Sequence, residues 1–191
     1  MGILKKRCDF KLKANDPRAE LILAYHDHRW GKAEHRDQEL FAMLVLEGMQ
    51  AGVSWAIILA KEANFRQAFS GFDPAVVATF DEAKVAELMH NPGIIRNQLK
   101  IRAAITNAQA FLKVQQEFGS FDAYIWNFTH YQVIDHHLPS IAAMPAKNAL
   151  SEEVSHDLKR RGFQFVGPVI VYSYLQGIGV INDHCAWCEY R

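Results

Sequence analysis

Glu47 is the first residue whose placement implies chemistry. It follows Leu40 by seven residues, Met43 by four and Leu44 by three, so on a helix it lies on or beside the apolar face. A carboxylate there is costly unless it is paired or used. The plainer readings are a salt bridge to a core arginine, or a helix-end glutamate turned to solvent beside Gly48. Tyr25, Trp30 and Trp55 flank Glu47 in sequence, with Phe10 further upstream. Electron-rich ring faces beside an anion could sandwich a flat cation. Taken singly, large aromatics are ordinary core residues.

A second set could hold a metal. Cys8 and His26 lie near the N-terminus, and His184, Cys185 and Cys188 near the C-terminus. Cys8, His26, His184 and Cys188 would make a closed tetrahedral zinc site clipping the two ends of the chain together. About 160 residues separate its halves, so spacing alone leaves other readings open. Cys185 and Cys188 could be a redox pair, although a thioredoxin-like βαβ context is missing. His26-Asp27-His28 could belong to a zinc hydrolase, for which an open coordination position is required, or to a solvated loop.

The elements that must position these groups read as helical. Asp37 can cap a helix carrying Leu40, Phe41, Met43, Leu44 and Glu47, and Ser54 can cap the next, from Trp55 to about Phe69. Asp73-Pro74 starts a short helix to Thr79, and Asp81 starts one that ends near His90. Asn91-Pro92-Gly93 is a stop. A long helix is predicted from about Asn97 to Phe118, then a short one from Phe121 to Phe128. Residues 130–148 read as loop, and a helix from about Ser151 to Arg161 stops at Gly162. Gly167-Pro168 opens the last helix, to about Gly177, so residues 151–178 form a helix–hairpin–helix whose backbone N–H groups suit a phosphate. A buried strand is the alternative for the apolar run FQFVGPVIVY. Asp183 follows this motif, and the pattern gives it no role.

Composition narrows the partners. Lys plus Arg and Asp plus Glu are 21 each in 191 residues, which argues against a polybasic mode of nucleic-acid binding and leaves a local basic face open. Lys159, Arg160 and Arg161 could be that face, or only the cationic end of a helix. Three cysteines make a disulfide framework improbable. No apolar run reaches about 18 residues, so no membrane span is expected. The start, MGILKKRCDF, lacks an apolar stretch of signal-peptide length, so a cytoplasmic protein is expected.

Several strings together carry a resemblance: AYHDHRWG (24–31), LEGMQAGVSW (46–55), FDPAVVA (72–78), GIIRNQLKI (93–101), LKRRGFQFVGPVIVYSYLQGIGVINDH (158–184) and Cys188. In this order, over nearly the whole chain, they resemble the bacterial DNA-3-methyladenine glycosylase I family. The resemblance implies an all-α helix–hairpin–helix glycosylase fold in one domain, 1–191, with the ends joined by one structural zinc. It implies flipping and hydrolytic excision of 3-methyladenine from double-stranded DNA carrying alkylated bases. The products would be the free base and an abasic site. Cys8, His26, His184 and Cys188 match the zinc ligands, Glu47 the base-pocket carboxylate, and Tyr25 and Trp55 the pocket aromatics. Trp30 lies close by, and Phe10 matches a position that covers the base. The hairpin, with Gly162, Gly167, Lys159, Arg160 and Arg161, is expected to contact DNA. The second hairpin helix contains no lysine, so no lyase step is expected, and the expected state is a monomer. Here the spacer between Cys8 and His26 is longer than in relatives, Ile22 stands where some carry Tyr, and Cys185 is an extra thiol. A non-catalytic zinc-containing binder of DNA damage is the alternative.

Overall fold

Leu40 to Glu47 are all buried, so the helix that carries them, α2 (Asp37–Gln50), is enclosed on every side. Glu47 thus belongs to a central helix, not to the margin of a one-sided one. The computed structural model describes residues 5–10 and 17–191. Around α2 stand α1 (Ala19–His28), α3 (Trp55–Ala68), α4 (Pro74–Val77), α5 (Glu82–His90), α6 (Gln98–Phe118), α7 (Phe121–Asn127), α8 (Ala149–Arg160) and α9 (Pro168–Gly177). One contiguous buried cluster runs through them. No described helix is long and apolar enough to cross a membrane.

The start signals act largely as local chemistry dictates. Asp73, Asp81, Asn97 and Ser120 accept from first-turn N–H groups of α4, α5, α6 and α7. Asn148 and Ser151 form a reciprocal capping box on α8. Asp37 departs from expectation. Its carboxylate accepts from the N–H groups of Phe121 and Asp122, at 2.8 Å each, and from Gln115. It therefore caps α7 and ties it to α2. Ser54 precedes α3 without a side-chain cap.

Three elements were not expected, α1 and the strands β1 and β2. α1 covers Ala19–His28, so His26-Asp27-His28 is not a solvated loop: His26 and Asp27 are buried at its end. Within the stretch expected as loop, β1 (Ile134–Asp135) pairs in parallel with β2 (Ile181–Asn182), Ile134 facing Ile181. The apolar run at 163–172 is not a strand. It is a turn followed by α9, with Pro168 at the first helical position.

The turn between α8 and α9 is fastened from inside. Asn107, buried within α6, donates to the Gln164 carbonyl at 3.0 Å and accepts from the Gln164 N–H at 2.7 Å. The Ser155 hydroxyl donates to the Val166 carbonyl at 2.6 Å. Gly162 supplies the positive φ, +93°, that ends α8. Gly167 has an ordinary φ of −64°, and a Cβ there would meet nothing within 4 Å.

Candidate active site

The last turn of α1, the last turn of α2 and the first turn of α3 converge on α9. They line an open cavity of about 110 Å³ bordered by Tyr25, Trp30, Glu47, Gln50, Trp55, Ser173 and Gln176, smaller than the usual ligand pocket of about 300–1,000 Å³. Tyr25 and Trp55 meet edge to face, with centroids 5.2 Å apart. Glu47 is 3% exposed, and burial alone pushes its carboxyl up to about 8. Burial, then the nearby Glu47, also raises the Tyr25 hydroxyl. Glu47 Oε2 and Trp55 Nε1 are the enclosed side-chain polar atoms without a hydrogen-bond partner among the described residues. An acceptor and a donor thus stand unpaired on residues that line one aromatic cavity, each costing about 1–3 kcal/mol.

The C-terminal end of α2 adds partial negative charge. Lys100 satisfies it in part, its Nζ donating to the carbonyls of Met49 and Ala51. The cavity continues into a groove of about 370 Å³ along Ala51, Gly52 and Val53 to Val169 and Ile170. Val169 and Ile170 are first-turn residues of α9, and their N–H groups have no helical acceptor. One cleft therefore offers negative character and ring faces inside, and helix N-terminal donors at its mouth.

The structure distributes the expected residues unevenly. Tyr25, Trp30, Glu47 and Trp55 come together. Phe10 is not among the residues that line the cavity; it packs on Trp30, 5.6 Å away, and on His26, 5.3 Å away. Lys159 is exposed. Arg160 is paired with Asp157. Arg161 is held by Asp157 and Glu117, 2.6 and 2.7 Å away, and covers the rings of Phe118 and Tyr124. Arg161 thus braces the end of α8 against α6 and α7, whereas Arg160 pairs within α8. Gln176 and Ser173 were missed; the signal was a glutamine inside the apolar run of α9. A second depression, of about 280 Å³, is lined by Arg29, Lys32 and Arg36 among others. Its cations are engaged by Glu62, the Tyr190 carbonyl and Glu34.

Next to the cavity, Cys8, His26 and Cys188 bring their ligand atoms within 4.8 Å of one another, all buried. The donor set fits a soft divalent metal. His26 is oriented for it: Nδ1 bonds the Asp27 carboxylate at 2.8 Å, and Nε2 faces Cys188 Sγ at 3.6 Å. Burial lowers the His26 imidazole against the pull of Asp27, which favours the neutral ligand form. Burial opposes ionisation of Asp27, but Arg7, at 2.8–3.0 Å, and His26 hold it below the usual carboxylate range. Burial pushes the Cys8 thiol up, so without a metal it stays protonated. His184 stands beside this trio and not in it. Its Nδ1 bonds Asn182 at 2.8 Å, its Nε2 faces the His26 carbonyl at 3.3 Å, and its ring lies 4.7 Å from that of His26. Cys185 is also outside; its N–H donates to Cys8 Sγ and its thiol faces Asp9.

The profile of the methyladenine glycosylase family matches residues 14–191. The chain is 41% identical to DNA-3-methyladenine glycosylase 1 of Escherichia coli (strain K12), over 88% of this chain and 90% of that one. It is 36% identical to the DNA-3-methyladenine glycosylase of Haemophilus influenzae, over 88% and 91%. Among solved structures, a 3-methyladenine DNA glycosylase I superposes with a TM-score of 0.89 at 41% identity, covering 96% of this chain and 98% of that one. A tyrosine-to-phenylalanine variant of such an enzyme, in complex with 3-methyladenine, gives 0.88 at 33% identity, covering 93% and 94%. The mostly helical fold is common to all of these structures. Since the profile runs through the cavity and the hairpin to residue 191, and the superposition covers 96% of the chain, the chain belongs to the methyladenine glycosylase family.

Proposed function

We propose that this chain is a DNA repair glycosylase that excises 3-methyladenine from alkylated double-stranded DNA by hydrolysis. The observation that carries the reading is the pair of unpartnered atoms, Glu47 Oε2 and Trp55 Nε1, on residues that line one cavity with Tyr25 and Trp30. A purine edge presents both donors and acceptors, so a flipped base supplies what both atoms lack. Methylation at N3 makes the base cationic while it is bound to the sugar. Its charge is favoured by the ring faces, by the carboxylate of Glu47 and by the end of α2. Ordinary adenine, being neutral, gains less and keeps its pairing. Extrusion costs a few kcal/mol, less for a damaged base.

The methylated base leaves as a neutral molecule, so protonation by a strong acid is not required. Glu47 accepts from the base edge and offsets the charge; the glycosidic C–N bond breaks with its electron pair leaving on the base, water adds at the sugar carbon, and the water's extra proton is released to solvent. The cavity lining contains no amine, in keeping with a monofunctional enzyme. Outside the cavity, the N–H groups opening α9 receive a phosphate. Gly162 and Gly167 keep the turn low, and Lys159 adds charge. Arg160 and Arg161 reach DNA only by leaving their carboxylates. Phe10 supports Trp30 and covers the base only if it moves.

Cys8, His26 and Cys188 hold one structural zinc, with His184 as the neighbour for a fourth position. The zinc supplies a cross-link between the chain ends and no reaction step. The chain acts as a single domain and a monomer, in the compartment that holds the DNA.

The test is chromatography of bases released from methylated duplex DNA. Selective release of 3-methyladenine, with 7-methylguanine left behind and activity lost in Glu47→Gln, is the expected result. No release from folded, zinc-replete protein would reduce the chain to a damage binder.

A further inference from the structure

Gln176 lines the cavity beside Glu47 and Trp55, and its amide is held from behind. Nε2 donates to Asp183 Oδ2 at 2.6 Å and meets Met144 Sδ at 2.9 Å. Asp183 is wholly buried. It also accepts from the Tyr172 hydroxyl and bonds His136 Nδ1, each at 2.6 Å. A carboxylate only accepts, so the NH2 end of Gln176 must face it. Oε1 then points away. Among the described residues no donor reaches it, yet it is not one of the enclosed unpartnered atoms, which are Glu47 Oε2 and Trp55 Nε1. Open space therefore lies before it, and the open space at Gln176 is the cavity. The backbone is fixed as well: the Gln176 carbonyl accepts from the N–H groups of Gly31 and Gly179, at 2.9 and 3.2 Å.

We propose that Gln176 is a specificity-determining residue, a fixed acceptor that reads the 6-amino group of the bound purine, and that Asp183 is the positioning residue that sets its polarity. The proposal rests on the excision reading above and deepens it. Adenine carries an amino donor where guanine carries a carbonyl acceptor. The two N–H bonds of that amino group suit two acceptors, Glu47 and Gln176. A guanine carbonyl in the same place faces two acceptors and no donor. An asparagine or glutamine side chain normally adapts by turning its amide over. Here that turn would set Oε1 against the Asp183 carboxylate, so the site cannot adapt. Polar sites of this kind discriminate more sharply than apolar ones, because the wrong partner leaves buried groups unpaired.

The experiment measures kcat/KM for 3-methyladenine and 3-methylguanine in the same methylated duplex. It also measures the affinity of both free bases by tryptophan fluorescence, for the wild type, Gln176→Met, Asp183→Ala and the double variant. Gln176→Met keeps the volume and removes the acceptor. We expect it to lower the adenine-to-guanine ratio about tenfold, the worth of one neutral hydrogen bond, in both readouts. Asp183→Ala frees the amide and lowers the same ratio, and the double variant lowers it no further than Gln176→Met alone. Equal losses for both bases, or an unchanged ratio, overturn the proposal and leave these residues structural. Should Asp183→Ala fail to fold, the ratio in Gln176→Met still decides whether the acceptor is read. A wild type that releases neither base would overturn the excision reading itself.

Discussion

At the scale of the residue, Glu47 sets function against stability. With its carboxyl raised from 4.5 to about 8 in the folded protein, both states hold the proton below pH 4.5 and burial costs nothing in ionisation. As pH rises the unfolded chain releases the proton, while the folded chain keeps it until about pH 8. Stability therefore falls across that window, by on the order of 3 kcal/mol at pH 7. Glu47→Gln should remove this slope. Urea unfolding should show the variant more stable by about 2–3 kcal/mol at pH 7 and equal to the wild type at pH 4. An unchanged slope would mean that Glu47 is already ionised when empty. The same group governs catalysis in the opposite sense. Because kcat/KM reports the free enzyme, it should rise with pH and level off above about 8 in the wild type. A profile flat from pH 6 to 9 would sink this assignment. Glu47, Tyr25, Trp30 and Trp55 were legible because a carboxylate in an apolar stripe and clustered aromatics are each unusual. Gln176 was equally odd in its apolar helix, but its partner, Asp183, is brought to it only by the chain reversal after α9. Phe10 was placed over the base by likeness alone; it packs against His26 and Trp30.

At the scale of the element, what the sequence revealed depended on punctuation. α4 to α9 begin at residues that cap or enter helices, and their starts fall close to expectation. α1 follows Asp16-Pro17 in the sequence, a helix-entry signal like Asp73-Pro74, but it has no side-chain cap and ends in the polar string His26-Asp27-His28, which obscures its apolar period. β1 and β2 are two residues each, too short for an alternating pattern, and their pairing spans 47 positions. The hairpin turn carries its own test. Gly162 is demanded by its positive φ; Gly167 is demanded neither by φ nor by internal packing. Its lack of a side chain therefore matters only to something that approaches from outside. Gly167→Ala should change stability by no more than about 1 kcal/mol, since alanine is merely a poorer residue before a helix. It should weaken binding to an abasic-site duplex about tenfold, about 1.4 kcal/mol, by lifting a phosphate off the N–H groups of α9. Equal affinity in a fluorescence-anisotropy titration would remove the turn from the DNA interface. With Arg160 and Arg161 engaged by carboxylates, the slope of log K against log[salt] should be shallow, near −3 for about three phosphates. A slope steeper than −6 would show that both arginines are released to the DNA.

At the scale of the whole molecule, the base cavity and the metal-ligand group share one wall. Tyr25 and His26 are consecutive on α1, and one lines the cavity while the other faces Cys8 and Cys188. Trp30 continues the wall, its ring 4.7 Å from that of His184 and 5.9 Å from that of His26. The N-terminal segment is drawn in by the same contacts. Glu189 donates its N–H to the Lys6 carbonyl, and Arg7 spans Asp27 and Tyr190. The enclosed helix α2 lies away from this clip and has its own packing against α9, α6 and α3. Removing the metal should therefore loosen one wall and spare the rest. Treatment with a strong chelator at neutral pH should lower the melting temperature by several degrees, yet leave the far-ultraviolet dichroism nearly intact. The fluorescence of Trp30 should shift to the red, and free 3-methyladenine should bind at least tenfold more weakly, about 1.4 kcal/mol or more. Catalysis should fall by the same factor as binding, and zinc should restore both. Cys8→Ala should reproduce the loosened state without a chelator. A catalytic metal makes the opposite prediction: chemistry abolished, with melting temperature and base affinity unchanged. The two outcomes separate because a structural ion acts on the reaction only through Tyr25 and Trp30, whereas a catalytic ion acts on the bond that breaks.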